Sequence, residues 1–147
     1  MATSSTTYLT NPTVNITPAT GGTVFDATAV TSSAAITVGY DALESTSFGD
    51  NGHQFVKGLQ NVEVTLTMYA SYGSSSVEAA LYSALGTGTS TIVISPNGTT
   101  ESASNPEYTI QNCFLSSFQA INGNYGELSM FEAVWQGGTF ARDITPP

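Results

Sequence analysis

The sequence predicts a mainly β protein: an antiparallel β-sandwich or barrel-like domain with one short flanking α-helix, at about 75–85, and extended terminal arms. Three observations predict it. Val62 to Met68 (VEVTLTM) strictly alternates four apolar residues with polar ones, the two-residue period of a strand with one face in a core. Ser90 to Ser95 (STIVIS) is a short apolar run closed by Pro96-Asn97-Gly98, a tight-turn sequence. A single helical stripe, Val77, Ala80, Leu81, Ala84 and Leu85 at i, i+3, i+4, i+7 and i+8, interrupts these strand-like segments.

The elements follow in chain order. Residues 1–22, rich in Thr, Ser and Pro, with Pro12, Pro18, Gly21 and Gly22, read as a flexible N-terminal arm. Residues 23–136 read as the sandwich domain. Within it, Ala35–Tyr40 alternates, with Ile36, Val38 and Tyr40 on one face. Asp41–Gly58 reads as a long loop in which Phe48, Phe55 and Val56 are embedded among polar and turn residues. Loops of that length in a compact domain are usually functional or are buried against a partner. Ser75-Ser76-Val77-Glu78 is a capping-box sequence that starts the helix, and Gly86 suits the left-handed position that ends it. Glu107 to Ile121 carries Tyr108, Ile110, Phe114 and Phe118 at one parity. Glu127 to Gln136 carries Leu128, Met130 and Val134 on one face and Phe131 and Trp135 on the other, and Gly123-Asn124-Tyr125-Gly126 joins these two strands as a hairpin. Residues 137–147 form a C-terminal arm that Phe140 could anchor. There is no internal repeat.

Composition narrows the function. The chain has 147 residues, suited to one domain, and can bury roughly 68–70% of its unfolded surface. It carries 2 Lys+Arg against 11 Asp+Glu, a net charge of −9, and only 9% charged residues where about 25% is usual. Ser and Thr, 40 residues together, supply the polarity instead. Two cations cannot neutralise the roughly 6–10 phosphates of a duplex site, nor make a polybasic membrane patch. No apolar run approaches the ~20 residues of a membrane span, and the N-terminus lacks the basic and apolar regions of a secretory signal. A single cysteine, Cys113, permits no internal disulfide and reads as a small buried residue.

Catalytic patterns are weak throughout. His53, the only histidine, sits in the turn Asp50-Asn51-Gly52 and reads as a turn or interface residue. There is no nucleophile elbow, no zinc-ligand spacing and no complete calcium loop, and Gly86-Thr87-Gly88 lacks the rest of a phosphate-binding loop. Glu63 and Glu132 alternate along strands as solvated faces do. The expectation is a non-enzyme with no cofactor and no metal.

The run Glu44 to Leu66 (ESTSFGDNGHQFVKGLQNVEVTL) resembles the siphophage tail tube (major tail) proteins of actinobacterial phages. So do the helix at Val77–Leu81, Asn105-Pro106-Glu107-Tyr108 ahead of a long strand, and Gly123–Leu128 (GNYGEL); together the similarity covers about residues 24–143. The resemblance implies a β-sandwich subunit of stacked, hexameric rings forming the tail channel of a virion and assembled in the host cytoplasm. Its partners would be further copies of itself and other virion tail or head proteins. Double-stranded DNA would be non-specific passing cargo, and no membrane is involved. On that reading Phe48, Asp50, His53, Phe55, Val56 and Phe140 contact neighbouring subunits, while Glu63, Thr65 and Thr67 face an acidic lumen that repels phosphates.

Two other readings stand beside it. A capsid decoration or minor capsid protein would share the acidity, the arms and the lack of chemistry, but would depend on a shell rather than on itself. A carbohydrate-binding or glycosidase module would use exposed aromatics, for which Tyr69, Tyr72, Tyr125 and Trp135 are the candidates.

Overall fold

Alternating hydrophobicity sets out the first layer. The computed structural model describes residues 9, 11–19, 22–85, 89–98 and 100–145. Three long strands are β3 (Thr31–Glu44), β4 (Phe55–Tyr69) and β7 (Met130–Gln136), with β4 in the middle. β4 buries Val62, Val64, Leu66 and Met68 and turns Glu63, Thr65 and Thr67 the other way. β7 buries Phe131, Ala133 and Trp135. Of the two faces the sequence offers here, the aromatic one faces inward, and Leu128 lies before the strand and is exposed. Trp135 is therefore not an exposed aromatic. It is fully buried, paired with Val64 on one side and Leu115 on the other, and cannot stack on a sugar, which removes one of the four aromatic candidates of the carbohydrate reading.

The second layer draws on both segments read as arms. β1 (Thr13–Thr17) pairs with β5 (Ser90–Ser95), which pairs with β6 (Glu107–Phe118), which pairs with β8 (Thr139–Asp143); the two-residue β2 (Phe25–Asp26) lies beside β1. Residues 13–17 are thus a strand, not free arm, because Val14 and Ile16 alternate between Thr and Asn and fill the core. Residues 139–143 are a strand because they pair with the first half of β6, with Phe140 turned partly inward. Cross-strand partners share a face, so two rows cross this layer's inner side: Ile16–Ile92–Ile110–Phe140 and, nearer its edge, Val14–Ile94–Tyr108–Arg142.

All eight strands are antiparallel and belong to one continuous sheet, folded into two layers where β6 passes from one to the other. Its first half lies between β5 and β8, and its second half pairs with β7. At the crossing Asn112 takes the left-handed conformation (φ 59), and Gly137 and Gly138 (φ 82 and 83) break β7 from β8 opposite it. The break reverses the inward face, so Cys113 and Leu115 are buried and Phe114 is outside. A second irregularity between Leu115 and Ser117 reverses it again and returns Phe118 to the core, edge-on to Phe131 at 6.3 Å. The single parity expected for Tyr108, Ile110, Phe114 and Phe118 therefore fails at Phe114 alone. Burial pushes the Cys113 thiol up to about 11, and its Sγ donates to the Ser90 carbonyl at 3.3 Å.

The one helix, α1 (Val77–Ala84), buries Val77, Leu81 and Ala84 against this core. Its cap is Ser76 rather than Ser75, since Ser75 is left-handed (φ 65) and lies outside the helix. Ser76 Oγ accepts from the Ala79 N–H at 3.4 Å, and Ser71 takes the Val77 and Glu78 N–H groups. The expected Gly86 terminus lies outside the described residues. Ser76→Ala should cost about 0.5–2 kcal/mol in thermal unfolding, whereas Ser75→Ala should cost nothing through capping. Equal losses would place the cap elsewhere. No helix among the described residues is long and apolar enough to cross a membrane.

Candidate functional site

Beyond Tyr40 and Gln60 the β3–β4 pair leaves the sandwich and continues outward as a two-stranded arm. The 41–58 segment is not a loop. Pairing runs on through Ala42 with Lys57, Leu43 with Val56 and Glu44 with Phe55, after one irregularity at Asp41, so only residues 45–54 connect the strands. Polar side chains hid this hairpin in the sequence, because no residue from 41 to 57 is buried and no alternation is required there.

The tip is built by its own hydrogen bonds. Asp50 Oδ2 accepts from the Ser47 N–H at 2.7 Å and from its hydroxyl at 3.0 Å, and the Asp50 N–H returns to the Ser47 carbonyl. Thr46 Oγ1 accepts from the Gln54 N–H and donates to Glu44 Oε1, both at 2.9 Å. His53 Nδ1 lies 2.7 Å from the same carboxylate oxygen, with its ring 6.3 Å from that of Phe55. A turn so tied presents Phe48 completely to solvent. Leu43, Phe55 and Val56 are more than half exposed beside it. Leu43 and Val56 share one face of the arm, and Phe55 lies on the other with Glu44.

The His53 and Thr46 hydrogen bonds hold the Glu44 pKa below its ordinary value of 4.5. A depressed carboxylate stabilises the arm above that value, and the gain is lost as pH falls through the depressed one. An NMR titration should place the Glu44 midpoint below 4.5, and His53→Ala should raise it. A midpoint unmoved by the substitution would mean that the pair is open in solution.

Five of the six expected interface residues, Phe48, Asp50, His53, Phe55 and Val56, are thus brought together on the arm. Phe140 is apart, half-buried and stacked on Tyr108 at 5.4 Å on the inner side of β8. Glu63, Thr65 and Thr67 lie on the outer face of β4, in rows with Thr37 and Gln136, Ala35 and Val134, and Ser33 and Glu132. That face is polar and carries two acids and neither of the cations. Of those cations, Lys57 lies over the Tyr40 ring at 4.6 Å at the base of the arm, and Arg142 stands at the edge of the other layer.

A second acidic patch lies at the start of β6. Burial and the neighbouring carboxyl groups of Glu101 and Asp143 together push the Glu107 carboxyl up. Glu101 Oε2 beside it is buried without a hydrogen-bond partner. Among the described residues no three His, Cys, Asp or Glu side chains gather as a metal site. Sequence reasoning missed Leu43 and Arg142, whose only mark was to be an apolar residue and a cation in stretches read as loop and arm.

No family model and no curated protein matches the chain. Solved structures do match it in fold. A chain of the SPP1 tail tube superposes with a TM-score of 0.70 at 11% identity, over 93% of this chain and 78% of that one. The sheath/tube terminator of the PVC extracellular contractile injection system gives 0.69 at 13%, over 97% and 99%. The tail of an empty GTA particle with C6 symmetry gives 0.62 at 11%, over 92% and 96%. The structural neighbours are thus tail tube and injection-system tube proteins, and the likeness of fold takes in nearly the whole chain.

Proposed function

We propose that the chain is the tail tube subunit of a siphophage-type virion, forming hexameric rings that stack into the DNA-conducting channel. The observation that carries this is the β3–β4 arm: an ordered hairpin that projects apolar side chains where nothing in its own chain covers them. Order without burial is what a polymer contact needs before the partner arrives, since a preorganised element binds at lower entropic cost. The shared fold with tail tube chains supports the same reading, and the C6 symmetry of one neighbour supports the six-fold ring.

The outer face of β4 is then the lumen wall. Glu63, with Thr65 and Thr67, would present acid and hydroxyl groups to passing duplex DNA, which is repelled and slides rather than sticks. The role is structural, with other tail proteins as end partners, assembly in the host cytoplasm and residence in the virion tail; the sequence resemblance favours an actinobacterial host.

Negative-stain electron microscopy of the concentrated protein tests it. Hollow tubes or stacked six-fold rings are the expected result. Discrete trimers or monomers that bind undecorated capsids instead would overturn the tube reading in favour of a decoration protein.

A further inference from the structure

The two layers do not close on each other everywhere. Between β3 and the edge row of the second layer lies a groove of about 790 Å³ whose walls include Val14, Ile36, Val38, Ile94, Tyr108 and Phe140. It is mainly apolar, and Arg142 of β8, though not one of its lining residues, is paired with Tyr108 of the groove wall. Arg142 is exposed and makes no ion pair with any described residue.

We infer that this groove is the socket for the β3–β4 arm of a second copy of the chain, with Phe48 as the inserted side chain and Asp50 set against Arg142. The inference deepens the tube reading and rests on it. Three features select this occupant. The arm carries the exposed apolar residues that such a groove would cover, with Phe48 wholly exposed at its tip. The arm cannot fill the groove of its own chain: Val38 in the groove wall is six residues along β3 from Glu44, or about 20 Å at ~3.3 Å per residue, and the β3–β4 pairing that resumes after Asp41 carries the tip away. Charge makes the third. Copies at −9 each repel one another, so a close contact is best made where one of the two cations meets an acid, and Asp50 is the acid nearest Phe48 in the turn.

The geometry has an assembly consequence. Plug and socket are different surfaces of one chain, so the contact is head-to-tail and does not saturate in a dimer. It propagates, as a stacked polymer requires.

Cysteine trapping tests the inference with full-length chains. Phe48→Cys protein is mixed with Val38→Cys protein and oxidised; the native Cys113 is buried and stays out of the reaction. Mixed disulfide dimers should exceed both homodimers well beyond the statistical share. A statistical mixture overturns the docking. Arg142→Gln and Asp50→Asn should each weaken assembly several-fold at low salt, and the double variant should lose no more than either alone. Asn keeps an acceptor for Ser47, so the turn survives the second change. Additive losses, or tubes unaffected by Arg142→Gln, overturn the socket while leaving the tube reading intact. A wild-type chain that forms no polymer at any concentration overturns the tube reading itself, and the docking with it.

Discussion

Deleting Phe48–His53 should leave a folded subunit that no longer polymerises. None of the six residues is buried, and the remaining Ser45, Thr46, Ser47 and Gln54 form a four-residue connection of ordinary hairpin length. The far-ultraviolet circular dichroism and unfolding temperature of the unassembled chain should therefore match the parent. Assembly loses both the tip aromatic and the rigid turn that presents it. A buried aromatic anchor at an interface is worth about 2 kcal/mol or more, and in a polymer that loss recurs at every subunit. Sedimentation velocity with electron microscopy reads the result. Normal tubes from the deleted chain would mean that the arm is an ornament and that some other surface drives association.

Gly138→Ala should be far more damaging than Gly137→Ala, although the two glycines share nearly the same φ, 83 and 82. Nothing lies within 4 Å of a Cβ added at Gly137, so that change meets only the left-handed conformation, a cost of about 1–2 kcal/mol. A Cβ on Gly138 would drive into the Gln111 carbonyl oxygen and lie 2.9 Å from the Cys113 nitrogen. Both belong to backbone held by β5, β7 and β8 at the corner where β6 changes layer, and neither can retreat without opening the ladder. At least about 3 kcal/mol is expected there, equivalent to some 6–12 °C in unfolding temperature. The comparison is cleanest in the arm-deleted chain, where stability is not coupled to polymerisation. Trp135, buried near the corner, supplies the fluorescence probe. Losses equal within 1 kcal/mol would show that the corner yields easily.

These two sites differ in how far the sequence reveals them. Regular alternation exposed β4 and β5, and helical spacing exposed α1 to within two residues at its start. Where a strand has a core on one side, its pattern is forced and can be read. The layer change at Asn112 could not be read, because an inserted residue shifts the parity of everything after it and a second insertion shifts it back. β1 and β8 were missed for another reason: β1 buries only Val14 and Ile16 among Thr and Asn, and β8 turns only Phe140 partly inward, too few for a pattern. In the candidate site, Phe48, Phe55 and Val56 stood out as apolar residues with no local reason to be there. The groove left no mark, since its walls come from β1, β3, β5, β6 and β8, whose meeting is purely tertiary.

Under the proposed tube, the seating of the arm would also decide how the molecule bears load. Its outgoing and returning strands are β3 and β4 themselves, and β4 is hydrogen-bonded along its inner length to β7 as well. A pull on the tip along the strand axis strains that whole ladder in parallel, as shear, instead of peeling it bond by bond. A tail that bends or recoils when its contents are released would thus transmit tension from one ring to the next through the centre of each sheet. The weakest point under such tension would be where the tip leaves its neighbour, so a stretched tube would part between subunits before any subunit unfolded.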